Sequence, residues 1–164
     1  MKTKVGDIFT IDVSDGKVGL GRIIFKPKYQ LFIVVFENIF DKNALPNVND
    51  IVSLKPLLMG YTLDGLLYSG DWKVTGNNKD NLSKYPLPFY KLGTPPEVFL
   101  VDYTGKVKRE ATKSEMENLD YQTTLAPIYY EEALKAWHKI ITWDKQYEEI
   151  LFDEIVRKRA IVEF

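Results

Sequence analysis

Between residues 8 and 13, Phe9, Ile11 and Val13 alternate with Thr10 and Asp12. This is the period of a strand with one buried face. Asp15-Gly16 follows as a hairpin turn, because glycine accepts the positive φ that a tight turn needs. Residues 18–25 and 31–36 predict two further strands. The second of these is the unbroken run Leu31-Phe32-Ile33-Val34-Val35-Phe36, the mark of a central strand covered on both faces. Gly19 and Gly21 interrupt the strand before it and predict a bulge or a close backbone approach.

Residues 51–54, 57–61 and 72–74 read as short strands. The stretch 76–96 carries Asn77, Asn78, Asn81, Pro86, Pro88, Pro95 and Pro96, so it reads as loops around a short strand at 89–92. A domain boundary there would leave each half small for a core of its own, so the expected organisation is a single domain over residues 1–164. Residues 98–101 and 106–110 predict a second hairpin, turning near Thr104-Gly105. Thr112 or Ser114 then caps a short helix reaching Leu119. Pro127 suits the first turn of a longer helix, where a missing N–H is harmless. Tyr130, Ala133, Leu134, Trp137, Ile140 and Ile141 fall on one face of that helix. Another helix is expected over 144–157, burying Tyr147, Ile150 and Leu151. Strands first and helices last is an α+β order. The expected fold is α+β, with an N-terminal antiparallel, barrel-like β-sheet and C-terminal helices packed on it.

Charge narrows the partners. The chain has 22 Lys and Arg against 23 Asp and Glu, a net charge of −1. A general nucleic-acid binder needs a basic excess to displace phosphate counterions, so nucleic acid is disfavoured as a partner. Hydrophobic residues make up 45%, enough for a sizeable core. The longest apolar run is far too short to span a bilayer, and no apolar segment follows the basic start, so no signal peptide and no membrane partner are expected. With no cysteine, disulfides, thiolate zinc sites and Cys nucleophiles are excluded. The expected compartment is the cytoplasm.

Catalytic patterns are weak. His138 is the one histidine, so a His-rich zinc site within the chain is impossible; it reads as a boundary residue on an amphipathic helix. No serine lies in a GxSxG elbow. Val18-Gly19-Leu20-Gly21-Arg22 opens like GxGxxG but lacks the third glycine and lies in a hairpin. Asp7, Asp12 and Asp15, and then Glu37, Asp41, Asp50, Asp64 and Asp71, could pair for hydrolytic chemistry, yet each stands near a predicted turn, where Asp is common. No catalytic residue, metal or cofactor is expected. The middle segment has a second reading. It is locally acidic and carries Tyr61, Tyr68 and Trp72, the mix with which a surface grips a basic protein. Asp64, Asp71 and Trp72 are the candidate partner-binding residues, with burial of Trp72 in the core as the competing reading.

An ordered series of segments resembles a known family. It opens with Lys4-Val5-Gly6-Asp7-Ile8-Phe9-Thr10-Ile11 and Asp15-Gly16-Lys17-Val18-Gly19-Leu20-Gly21-Arg22-Ile23. It continues with Val35-Phe36-Glu37, Pro56-Leu57-Leu58-Met59 and Gly70-Asp71-Trp72-Lys73-Val74-Thr75-Gly76. Val101-Asp102-Tyr103-Thr104-Gly105, Ala126-Pro127-Ile128 and Tyr147-Glu148-Glu149-Ile150-Leu151 extend it over nearly the whole chain. The series is similar to the immunity protein 26 family. Asp12 departs from the proline usual there, and Val18 from an aromatic; both substitutions suit a hairpin. The resemblance implies an immunity protein of a bacterial polymorphic toxin system, encoded beside a toxin and protecting the producing cell by binding it. It transfers no catalytic residue. The alternatives are a small β-barrel that binds nucleic acid or a peptide, using the locally basic Lys2, Lys4, Lys17, Arg22, Lys26 and Lys28, and a carboxylate-based hydrolase.

Overall fold

The computed structural model describes residues 2–164. In chain order the elements begin with β1 (Asp7–Ser14), β2 (Lys17–Phe25), β3 (Leu31–Asp41), β4 (Pro56–Thr62), α1 (Gly65–Ser69) and β5 (Lys73–Asn77). Next come β6 (Phe89–Thr94), β7 (Glu97–Asp102), β8 (Val107–Glu110) and α2 (Lys113–Asn118). The chain ends with β9 (Thr124–Leu125), α3 (Pro127–Trp137), a 3-10 helix (Lys145–Ile150) and α4 (Phe152–Arg159). These form two compact units. The first runs to Leu82 and resumes at Thr124–Phe152; the second comprises Ser83–Thr123 and Asp153–Phe164.

The first unit is a six-stranded sheet in the order β5-β1-β2-β3-β4-β9. Neighbours are antiparallel except β4 and β9, where Tyr61 and Thr62 run parallel to Thr124 and Leu125. The α+β class is as expected, but the sheet is mixed and open. Its edge strands β5 and β9 do not pair with each other, and β9 has only two residues, so the barrel-like closure expected from the sequence does not occur.

Register sorts the side chains onto two faces. Phe9, Gly21, Val35 and Leu58 form one row, and Ile8, Arg22, Val34 and Met59 the adjacent row pointing the other way. Helix α3 lies on the first face and buries Tyr130, Ala133 and Leu134 among Phe9, Ile11, Ile33, Val35 and Leu58. Full burial of a side chain such as Leu134 is worth about 1.5–3 kcal/mol. Glycines make this packing possible. A Cβ on Gly60 would lie 2.4 Å from the Tyr130 hydroxyl, and one on Gly21 would lie 2.3 Å from the Phe9 ring. The close approach expected at Gly21 is therefore real, and the register also slips between Gly19 and Gly21. All of Leu31 to Phe36 is buried, as a central strand requires.

On the second face Arg22 is fully buried. Its guanidinium donates to Asn78 O at 3.1 and 2.6 Å and to Asp80 O at 2.6 Å, fastening the loop after β5.

Three local expectations are corrected. Residues 51–54 are not a strand: Ile51–Ser53 is a 3-10 turn. Asn47 Oδ1 accepts from Asn49 N and Ser53 Oγ donates to Asp50 O, local bonds that compete with a sheet ladder. The helix expected over 144–157 is broken. Leu151 is extended and bridges to Leu58, so the 3-10 helix and α4 are separate. Tyr147 and Ile150 are buried as expected, whereas Leu151 is half-buried. The apolar face of α3 does not continue either, because the helix stops at Trp137.

The second unit is the antiparallel sheet β6-β7-β8 with α2 and the end of the chain. The β7–β8 hairpin turns at Gly105, with φ of 89°. Of the two cap candidates, Thr112 caps α2 in a reciprocal box with Glu115. Arg109 grips the buried Glu115 carboxylate through two bonds of 2.7 and 2.9 Å. Arg159 donates to Leu87 O at 2.8 Å, and the Phe164 ring rests 5.5 Å from Phe89. No helix of the described residues is long and apolar enough to cross a membrane.

Candidate partner-binding surface

The end of the acidic middle segment, from Asp64 to Trp72, folds as the short helix α1 and its turn, with an inward and an outward side. Leu67 and Trp72 point into the core, each 1% exposed. The Trp72 ring stacks on Phe9 with centroids 5.0 Å apart and 12° between planes. Its indole Nε1 donates to Glu131 Oε1 at 3.3 Å. Trp72 therefore fixes α1 to the sheet and offers no side-chain surface to a partner, which corrects its place as a contact residue. Asp64 and Asp71 do face outward, and the exposed aromatic beside them is Tyr68, 76% accessible. Gly70 ends the helix at φ 85°, and Asp71 Oδ2 accepts from Ser69 Oγ at 2.5 Å. The fold thus presents Asp64, Tyr68 and Asp71 on one short helix and its turn.

A second surface lies where α3 ends. Lys139 takes the left-handed conformation, φ 63°. Its N–H donates to Ala136 O, and Ile140 N–H donates to Lys135 O, both closing the helix from beyond its last turn. The chain then leaves the helical path, and Trp137, Ile140 and Ile141 emerge about 40% exposed. Ala136, Trp137 and residues 139–143 line an open groove of about 680 Å³. Two of the lining residues, Trp137 and Trp143, begin a ladder of rings that continues away from the groove: Trp137 to Trp143 at 5.9 Å, Trp143 to the buried Tyr147 at 5.2 Å and Tyr147 to Tyr129 at 5.1 Å, all near edge-to-face. Trp137 Nε1 donates to Glu37 Oε1 at 3.2 Å, and His138 Nε2 lies 2.6 Å from Glu37 O. His138 is half-buried and structural, as expected of a boundary residue. Burial, followed by the charges of Glu149 and Asp144, pushes the Tyr129 hydroxyl up to about 12.

Some of the carboxylates considered for hydrolytic chemistry are engaged within the fold. Asp7 accepts from Lys4 N and Asn77 Nδ2. Asp41 pairs with Lys17 at 2.7 Å. Asp12 and Asp15 border a shallow hollow shared with Lys17, Lys42 and Lys135. Among the described residues, no group of three or more His, Cys, Asp and Glu is placed to hold a metal ion.

The profile of the family described as Immunity protein 26 matches residues 4–95, just over half of the chain. The chain belongs to this family. The matched segment of this immunity protein 26 member runs from before β1 through the β6 hairpin strand and so takes in α1 with Asp64, Tyr68 and Asp71. The later segments that carried the resemblance, from Val101 onward, lie beyond the match, as does the aromatic ladder. No curated protein and no solved structure matches the chain.

Proposed function

We propose that this chain is an immunity protein that acts by binding: it holds a cognate bacterial toxin in the cytoplasm and neutralises it there, with no catalytic step of its own. Membership of the immunity protein 26 family carries the reading. The surface supports it. Asp64, Tyr68 and Asp71 supply an exposed aromatic flanked by acids, the chemistry that anchors a basic protein surface and speeds its encounter. A toxin that attacks nucleic acid would carry such a basic surface.

The barrel reading loses ground on two observations. The sheet is open, and the residues that made the N-terminal region basic are partly spent on the fold: Arg22 is buried, Lys17 pairs with Asp41 and Lys26 donates to Thr3 O. The test is protection. Cells producing the toxin encoded beside this chain's gene survive when the chain is co-expressed, and die when it is not.

A further inference from the structure

We infer that the turn after α3, with Trp137, Ile140 and Ile141 around the groove, is a docking surface for a protein partner whose contacting face is basic, with an apolar side chain seated in the groove. The inference rests on the proposed function and adds the place and chemistry of contact. Three observations carry it.

The apolar residues are turned out of the fold by a defined structure: the helix closes at Lys139 through two backbone hydrogen bonds, so Ile140 and Ile141 cannot rejoin the buried face of α3. The rings are held in place before any partner arrives. Trp137 is tied to Glu37, and Trp143 packs against Tyr147 and the core. Such pre-ordered aromatics lose little freedom on binding, which is why Trp and Tyr dominate interface anchors. Finally, the charge around them is acidic. Residues 127–151 contain Glu131, Glu132, Asp144, Glu148 and Glu149, five acids, against Lys135, Lys139 and Lys145, three lysines. Lys135 and Glu131 pair with each other and cancel, leaving four acids against two lysines. Glu148 and Glu149 are exposed, and Glu37 adds a further carboxylate beside Trp137 while pairing loosely with Lys55 at 3.7 Å. Lys139 is the charged residue of the groove lining, so the groove itself is left to an apolar side chain and the attraction for a basic face comes from the exposed acids elsewhere on this stretch.

The experiment uses the full chain and the purified toxin domain encoded beside its gene, with affinity measured by calorimetry and association rates by stopped-flow tryptophan fluorescence. Trp137→Ala and Ile141→Ala are each expected to weaken binding about tenfold or more. Glu149→Gln is expected to slow association at low salt and to lose that effect at high salt. Circular dichroism of each variant confirms that the fold is kept, and Ile141→Ser replaces any variant that fails to fold. Wild-type binding left unchanged by Trp137, Ile141 and Glu149 substitutions overturns this inference and leaves the functional reading standing. Failure of the wild-type chain to bind overturns both. Sedimentation of the chain alone covers the remaining occupant: a dimer abolished by Ile141→Ala, with toxin affinity unchanged, would assign the groove to a second copy and overturn the inference.

Discussion

At the scale of single residues, the fold depends on a few polar groups buried with their partners in place. Glu115 is the clearest case. Two hydrogen bonds from Arg109, and the Thr112 N–H at 2.8 Å, hold its carboxyl below the ordinary carboxylate range despite burial, which alone would raise it. A folded carboxyl below its unfolded value contributes stability above the unfolded pKa and loses it as pH falls through the folded one. Melting temperature is therefore expected to fall as pH drops below about 4.5, the unperturbed value. Glu115→Gln keeps a capping side chain but lacks the charge. It is expected to melt lower at neutral pH and to show a flatter profile in acid. Parallel melting curves for the two proteins between pH 7 and 3 would contradict this. Trp72 makes a related point about reading residues singly. Its neighbours Asp64 and Asp71 are exposed, and only the stacking on Phe9 shows that the indole faces inward.

At the scale of elements, the end of α3 decides what the molecule displays. A left-handed residue that is not glycine costs about 1–2 kcal/mol, and Lys139 holds this position at φ 63°. Lys139→Gly should therefore raise stability by about 1 kcal/mol, seen as an upward shift of a few degrees in melting temperature. A fall would mean that the closing turn is not strained. The same position explains what the sequence concealed. A helix that ends on glycine announces itself; one that ends on lysine does not. The spacing of Tyr130, Ala133, Leu134, Trp137, Ile140 and Ile141 fits a continuous face, yet only the first three are buried. The signal that was available is density: two Trp and two Ile within residues 137–143. The strands were legible because alternation and the 31–36 run have one reading; the start of α2 was legible only as Thr112 or Ser114, and Glu115, three residues beyond Thr112, is the signal that separates them. The 3-10 turn at Ile51–Ser53 was not legible, because its apolar residues resemble a strand and the deciding bonds come from Asn47 and Ser53.

At the scale of the whole molecule, the chain forms two compact units, each assembled from two separate stretches of sequence. The first unit needs Thr124–Phe152 to supply α3, and the second needs Asp153–Phe164 to supply Arg159 and Phe164. Neither is a contiguous stretch that could be cut out. We propose a single unfolding transition, with tryptophan fluorescence and far-ultraviolet circular dichroism giving coincident urea midpoints; two separated midpoints would show that the units unfold independently. Function is written less plainly than fold. Catalysis leaves spacing motifs, whereas binding needs only shape, anchors and charge. Asp64 and Asp71 could be picked out as outward acids, while Tyr68 and the Trp137–Trp143 ladder needed the folded chain to show them exposed.

The central claim is that this immunity protein 26 member neutralises a toxin by binding it. The most direct measurement is survival of cells induced for the toxin encoded beside this chain's gene, with and without co-expression of the chain. The account predicts survival with the chain and death without it, and protection that fails when Trp137→Ala is combined with Asp64→Ala and Asp71→Ala at equal protein levels. Equal killing in the presence and absence of the folded wild-type chain would contradict it.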